Sequence, residues 1–132
     1  MIGHITALYA GLLGLIYVPL SWRIARMRFK YGVGIGDGGN KDLARAIRVH
    51  GNFSEYVPLA LVLLLVVESI GSSGWVVHVL GVWIIVARLA HAQGLNSKPG
   101  TSLGRFTGIL LTWLQILAAS LVAIAGFFGT KL

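Results

Sequence analysis

Polar side chains that are able to bind a ligand stand directly before one of the most apolar runs of the chain. The stretch RVHGNFSEYVP, at 48–58, leads into LALVLLLVV. At about 100° per residue, four of its side chains fall on one side of a helix: Arg48, Asn52, Glu55 and Tyr56. Ionisable groups within a membrane helix indicate a functional site, because charge is costly in hydrocarbon. Two other interpretations remain open, namely arginines that contact lipid phosphates and an Arg–Glu pair that holds the helices together.

A second polar group lies in ARLAHAQGLN and continues past SKPGTS into SLGRFTG. Arg88 and His91 are three residues apart on one helix face, and Arg105 falls in the first turn of the next helix. A cation there opposes the helix dipole, but beside free backbone N–H groups it makes a strong site for a carboxylate, phosphate or thiolate. The alternative is a contact between Arg105 and a lipid headgroup.

Together these segments predict a pocket at one end of a helix bundle. Arginines from all four helices would ring it, with the polar side chains of the second and third helices between them: Arg26, Arg48, Arg88 and Arg105 around Asn52, Glu55, Tyr56 and His91. Such a pocket suits a small ligand that has several negative groups and an amine for Glu55. An apolar co-substrate would dissolve in the hydrocarbon beside it.

The composition indicates that lipid is the solvent of this chain. Of its 132 residues, 56% are hydrophobic and 11% are charged, and the mean hydropathy is +0.81. A soluble domain has about a quarter charged residues. The length allows one domain, and the lack of cysteine excludes disulfides, thiolate metal sites and a cysteine nucleophile.

Four apolar segments predict an all-α integral membrane protein, with a single domain at 1–132 that forms a four-transmembrane-helix bundle. A span needs about 20 apolar residues, and helices are expected at roughly 2–28, 41–69, 75–95 and 102–128. The first segment lacks a basic start and a small-residue cleavage site, so it is interpreted as a retained helix.

The distribution of positive charge predicts the orientation in the membrane. The linker after the first helix holds seven of the eleven Lys and Arg, the second linker holds none, and three lie around the third. The positive-inside rule therefore places linkers one and three in the cytoplasm and both termini on the opposite side. The net charge of +7 is accordingly attributed to topology, and nucleic-acid binding is not predicted.

Three further features predict structure rather than chemistry. GVGIGDGGN matches G-x-G-x-x-G, but no strand precedes it, so a turn is expected in which Asn40 or Asp42 caps the second helix, without nucleotide binding. His4 and His78 have no clustered carboxylate or cysteine, so no metal site is predicted. Glu68, about 20 Å along the helix from the polar stripe at about 1.5 Å per residue, is assigned to the opposite membrane face.

RVHGNFSEYVP resembles the helix-two signature of the MAPEG family, the membrane-associated proteins of eicosanoid and glutathione metabolism. That signature runs, in essence, Arg-x-x-x-Asn-x-x-Glu, with a proline soon after. His50 matches the form found in microsomal glutathione transferases and membrane prostaglandin E synthase. The second match is R-L-A-H, at 88–91, followed seventeen residues after Arg88 by Arg105. Over its whole length the chain is similar to a bacterial-type, microsomal glutathione transferase-like member.

The resemblance implies a homotrimer that binds glutathione as co-substrate between neighbouring subunits, at the cytoplasmic side, without a metal. Arg48 and Asn52 would hold its carboxylate and backbone groups, and Glu55 its γ-glutamyl ammonium. The other implied glutathione-binding residues are Tyr56, Arg26, Arg88 and His91. Arg105 matches the arginine credited with stabilising the thiolate.

The implied activity is that of a glutathione transferase or peroxidase, which detoxifies lipophilic electrophiles or lipid hydroperoxides. A free thiol has a pKa of about 8.5, and a nearby arginine or helix N-terminus raises the fraction of nucleophilic thiolate.

The alternative is a non-catalytic lipid-binding or scaffold protein of the same fold. Arg105 favours catalysis, whereas Leu95, where many members have a tyrosine, favours the alternative. A multidrug exporter is disfavoured, because a ring of arginines would repel cationic drugs.

Overall fold

The computed structural model describes residues 3–97 and 103–129, and within them the chain forms four helices and no strand. These are α1 (His4–Tyr31), α2 (Lys41–Ser69), α3 (Gly74–Ser97) and α4 (Leu103–Phe127). Each is long and apolar enough to cross a membrane. The prediction of an all-α bundle of four membrane helices is therefore confirmed.

The turn between α1 and α2 is built from glycines and one capping asparagine. Gly32 ends α1 in the left-handed conformation, with φ 65°, which glycine adopts without steric cost. The side chain of Asn40 then accepts hydrogen bonds of 3.0 Å from the backbone N–H groups of Asp42 and Leu43. Asn40 is thus the cap of α2, and the G-x-G-x-x-G match lies in a loop between two helices, as predicted.

The helices α2 and α3 form the centre of the bundle, and each contacts all three others. The helices α3 and α4 approach each other closely at Gly108. A Cβ atom there would lie 2.5 Å from the backbone nitrogen of His91 and 2.6 Å from its Cα. Only glycine permits this distance, so Gly108 sets how deeply α4 packs against α3.

Large apolar side chains cover the outer surface of the bundle. Leu15 is 73% exposed and Val18 is 65% exposed, and similar side chains face outward on the other helices. In water such a surface would be strongly unfavourable, whereas in a bilayer it meets lipid chains. The protein is an integral multi-pass membrane protein.

The end of the bundle that holds the start of α1 has its own polar contacts. The carboxylate of Glu68, at the end of α2, accepts hydrogen bonds from the backbone N–H groups of Ile5 (2.9 Å) and Thr6 (2.8 Å). The hydroxyl of Tyr9 lies 2.8 Å from Nδ1 of His78. Glu68 therefore lies at the other end of α2 from Arg48, as expected, and stabilises the first turn of α1.

Candidate functional site

The polar stripe predicted on α2 is present, and it divides into an outer and an inner pair. Arg48 and Glu55 form the outer pair, with Nη1 of Arg48 3.3 Å from Oε1 of Glu55 and both side chains more than half exposed. Asn52 is buried and Tyr56 is partly buried, and both contact Arg88 of α3. The outer pair is thus accessible to a ligand, while the inner pair joins helices.

Arg88 is the centre of a buried hydrogen-bond network that joins three helices. Its side chain is only 2% exposed. Nη1 donates to Oδ1 of Asn52 on α2 (2.6 Å), and Nη2 donates to Oγ1 of Thr112 on α4 (2.5 Å). The Tyr56 ring lies 5.8 Å from the guanidinium carbon, which is within the range of a cation–π contact.

The network fixes the direction of Asn52 and Tyr56 on α2. A buried guanidinium is costly unless its N–H groups find acceptors. Asn52 and Thr112 accept the two shortest of its bonds, while Nε has no acceptor among the described residues. Within this subunit, Arg88 therefore acts as the support on which the polar stripe of α2 rests. Its direct contact with glutathione stays a prediction.

The other predicted site residues lie on three different helices. His91 is buried beside Gly108, and Arg26 is exposed on α1. Among the described contacts, none joins Arg26 to the outer pair. Arg105 occupies the first turn of α4, as predicted, but its side chain, like that of Leu95, lies outside the described residues.

Two buried polar residues of α4, Thr112 and Gln115, escaped the sequence reasoning. Both are 0% exposed, and Nε2 of Gln115 donates to the backbone oxygen of Leu80 on α3 (3.4 Å). They lie three residues apart in LLTWLQILAAS. The available signal was a pair of uncharged polar residues at helical spacing in an otherwise apolar segment, which in membranes marks contacts between helices.

His50, which entered the sequence analysis only through the family motif, joins α2 to α1. Its Nε2 lies 2.9 Å from Oγ of Ser21, and its ring lies 4.8 Å from the ring of Tyr17. Tyr17 in turn packs on Phe53, with ring centres 5.8 Å apart. These contacts fix the first half of α2 against α1.

An apolar groove runs along the outside of the bundle between α1 and α2. Its volume is about 260 Å³, and its walls come from both helices: Ala10, Leu13, Gly14 and Tyr17 on α1, and Phe53, Ser54, Val57, Pro58 and Leu61 on α2. A Cβ atom added at Gly14 would meet nothing within 4 Å. The groove therefore offers open, lipid-accessible space on the same helix that carries the outer pair.

The chain matches the MAPEG family model over residues 6–125. It belongs to the MAPEG family. The resemblance inferred from the helix-two and helix-three motifs is thereby confirmed, and the match spans all four helices.

Two relatives of this chain are named as bacterial inner membrane proteins. The chain is 39% identical over 113 residues to the inner membrane protein YecN of Escherichia coli strain K12. The aligned region covers 86% of this chain and 85% of YecN. The protein of the same name from Escherichia coli O6:H1, strain CFT073, matches to the same extent. Their name states a membrane location and no reaction.

Proposed function

We propose that this MAPEG protein is a glutathione-dependent transferase or peroxidase that acts on lipophilic electrophiles or lipid hydroperoxides. The main support is the exposed pair of Arg48 and Glu55, on the helix that also walls the apolar groove. The pair offers one charge of each sign to a zwitterionic, water-soluble ligand. The groove offers space to an apolar molecule that arrives through the bilayer.

The outer pair suits glutathione because the tripeptide carries both carboxylates and an ammonium group. An exposed ion pair contributes only about 0–1 kcal/mol, so exchanging it for ligand contacts costs little. Arg48 then binds a carboxylate, for which its planar guanidinium is well shaped, and Glu55 binds the γ-glutamyl ammonium. Asn52 and Tyr56, held by Arg88, line the pocket, and Arg26 and His91 complete it.

The proposed chemistry needs no nucleophile from the protein. Arg105, in the first turn of α4, would favour the glutathione thiolate through its own charge and the positive end of the helix dipole. The thiolate sulfur forms a C–S bond with an electrophile, and the displaced electron pair leaves with the leaving group. With a hydroperoxide, the sulfur takes the distal oxygen, giving an alcohol and a sulfenic acid, which a second glutathione converts to disulfide and water.

The proposal includes a homotrimer with its sites at subunit interfaces. In one subunit the outer pair lies on the surface of α2, open on one side. A neighbouring subunit would close that side and exclude water, which strengthens the charge interactions within the site.

Binding and chemistry are tested separately with purified protein and four variants. Calorimetry should show that the wild type binds glutathione. In Arg48→Ala and in Glu55→Gln the dissociation constant should rise about tenfold or more, and each tenfold rise corresponds to about 1.4 kcal/mol of binding free energy. Arg105→Ala should retain binding but lose the thiolate absorbance and the conjugation of lipophilic electrophiles. Lys41→Gln, which removes an exposed cation outside the site, serves as the matched control and should behave as the wild type.

The outcomes separate this function from its main rival. A wild type that does not bind glutathione contradicts the glutathione roles given to these residues. A wild type that binds glutathione, yet neither conjugates electrophiles nor reduces hydroperoxides, is instead the non-catalytic lipid-binding or scaffold protein.

A further inference from the structure

The segment 23–48 forms one end of the α1–α2 pair and carries most of the positive charge. It comprises the end of α1, the loop 32–40 and the first two turns of α2, and is called the basic hairpin below. Seven cations stand against Asp37 and Asp42, which leaves a net charge of +5: Arg23, Arg26, Arg28, Lys30, Lys41, Arg45 and Arg48. Asp42 is paired with Arg45 of its own helix, so the surface of the hairpin is strongly positive.

Large apolar side chains are exposed among these charges. Phe29 is 89% exposed, Ile35 is 94% exposed, and Trp22, just before the hairpin, is 70% exposed. Trp22, Arg26 and Phe29 are at i, i+4 and i+7, so they share one face of α1. A helix face that alternates aromatic rings with cations is typical of segments that lie in the headgroup layer of a membrane.

A cleft beside Phe29 combines an apolar wall with a cation. Its volume is about 410 Å³, and it lies between the end of α1 and the following loop: Ala25, Arg28, Phe29, Gly32, Val33 and Gly34. Nη1 of Arg28 donates to the backbone oxygen of Gly34 (2.9 Å), which holds the guanidinium at the cleft. This pairing of surfaces matches a lipid, since the acyl chain meets the apolar wall and the phosphate meets the arginine.

We propose that the basic hairpin is a docking surface for anionic phospholipid of the surrounding bilayer. Phosphate headgroups gather around its cations, and the side chains of Phe29 and Ile35 insert among them. Along the axis of α1, Arg23 and Arg26 lie within about 8 Å of Trp22. This distance is one Debye length at physiological salt. The attraction is therefore only partly screened. Arg26 and Arg48 of the hairpin also belong to the proposed glutathione site, so the variants below leave both unchanged, and lipid docking is tested without glutathione.

A single fluorescent label tests the proposal, because the chain has no cysteine of its own. Ile35→Cys places an environment-sensitive fluorophore at the most exposed apolar position of the loop. The protein is reconstituted in nanodiscs of phosphatidylcholine, with or without phosphatidylglycerol. We expect a blue shift and brighter emission only when phosphatidylglycerol is present, and we expect high salt to reverse the shift, because salt screens the attraction.

Two further variants in the Ile35→Cys background separate charge from apolar contact. Lys30→Gln combined with Lys41→Gln lowers the net charge of the hairpin from +5 to +3 and should weaken the preference for phosphatidylglycerol, and Phe29→Ser should reduce the shift. All three side chains are exposed, so the fold should persist, which circular dichroism checks. Ser72→Cys, in the short linker between α2 and α3, is the control and should emit identically in both lipids.

Two results would overturn the proposal. One is an Ile35 label whose emission is the same in both lipids; if that emission is typical of water, the hairpin faces a soluble acidic partner instead of the bilayer. The other is an equal shift at Ser72.

Discussion

Arg88 carries a charge inside the membrane bundle, and its hydrogen-bond partners make that charge tolerable. Its guanidinium is buried, and its two terminal nitrogens donate to acceptors on α2 and α4. The same bonds hold Asn52 in place on the polar stripe of α2. Arg88 therefore fixes the inner half of this stripe from behind.

Removal of the acceptor on α4 should measure the contribution of this network. Thr112→Val keeps the shape of the side chain but leaves Nη2 of Arg88 with only its longer bond to the backbone oxygen of Gly108 (3.4 Å), and a buried donor that loses its acceptor costs up to about 3 kcal/mol. We expect Thr112→Val to lower the midpoint of thermal unfolding in detergent. Thr112→Ser retains the hydroxyl and is the matched control, and equal midpoints for Thr112→Val and the wild type would contradict a stabilising role.

The sequence predicted the outer pair of the site but not the inner network. Arg48 and Glu55 are seven residues apart on one helix, so helical periodicity alone brings them together. The bonds of Arg88 to Asn52 and Thr112 depend on how three helices rotate against one another. Nothing in the local pattern of one helix specifies that rotation.

At the scale of elements, the spacing of α3 and α4 depends on the absence of a side chain at Gly108. In Gly108→Ala the new Cβ would overlap the backbone of His91, which cannot yield without separating the helices. Overpacking of this kind typically costs about 1–3 kcal/mol, so we expect a lower unfolding midpoint in detergent.

Gly14→Ala is the matched control, because its Cβ would enter open space. Replacement of a glycine inside a helix by alanine stabilises the helix by about 0.5–1 kcal/mol. Its unfolding midpoint should therefore equal or exceed that of the wild type. If both variants unfold at the same temperature, Gly108 does not set the packing of α3 on α4.

The ends of the helices were predictable where a local signal determines them. The start of α2 follows from Asn40, whose side chain caps it. The sequence predicts that the first helix ends at roughly residue 28, whereas α1 continues to Tyr31. Its end is set by Gly32, whose positive φ breaks the helix, and hydrophobicity carries no information about that conformation.

At the scale of the whole molecule, the uneven distribution of cations predicts which face meets the cytoplasm. Single cysteines at Ile35 and Ser72 report on the first and second linkers. A membrane-impermeant maleimide should label Ser72→Cys in intact cells, and Ile35→Cys only after permeabilisation, because segments rich in Lys and Arg stay in the cytoplasm. The opposite pattern would invert the orientation of the bundle.

The contact between Glu68 and the first turn of α1 has a consequence for the order of assembly. The loop 32–40 joins α1 to α2 at one end, and the Glu68 carboxylate joins them again at the other. Until α1 is in place, this carboxylate lacks its two N–H donors, and a charge without partners is disfavoured at the edge of hydrocarbon. The first two helices should therefore enter the bilayer as a closed hairpin, against which α3 and α4 later fold.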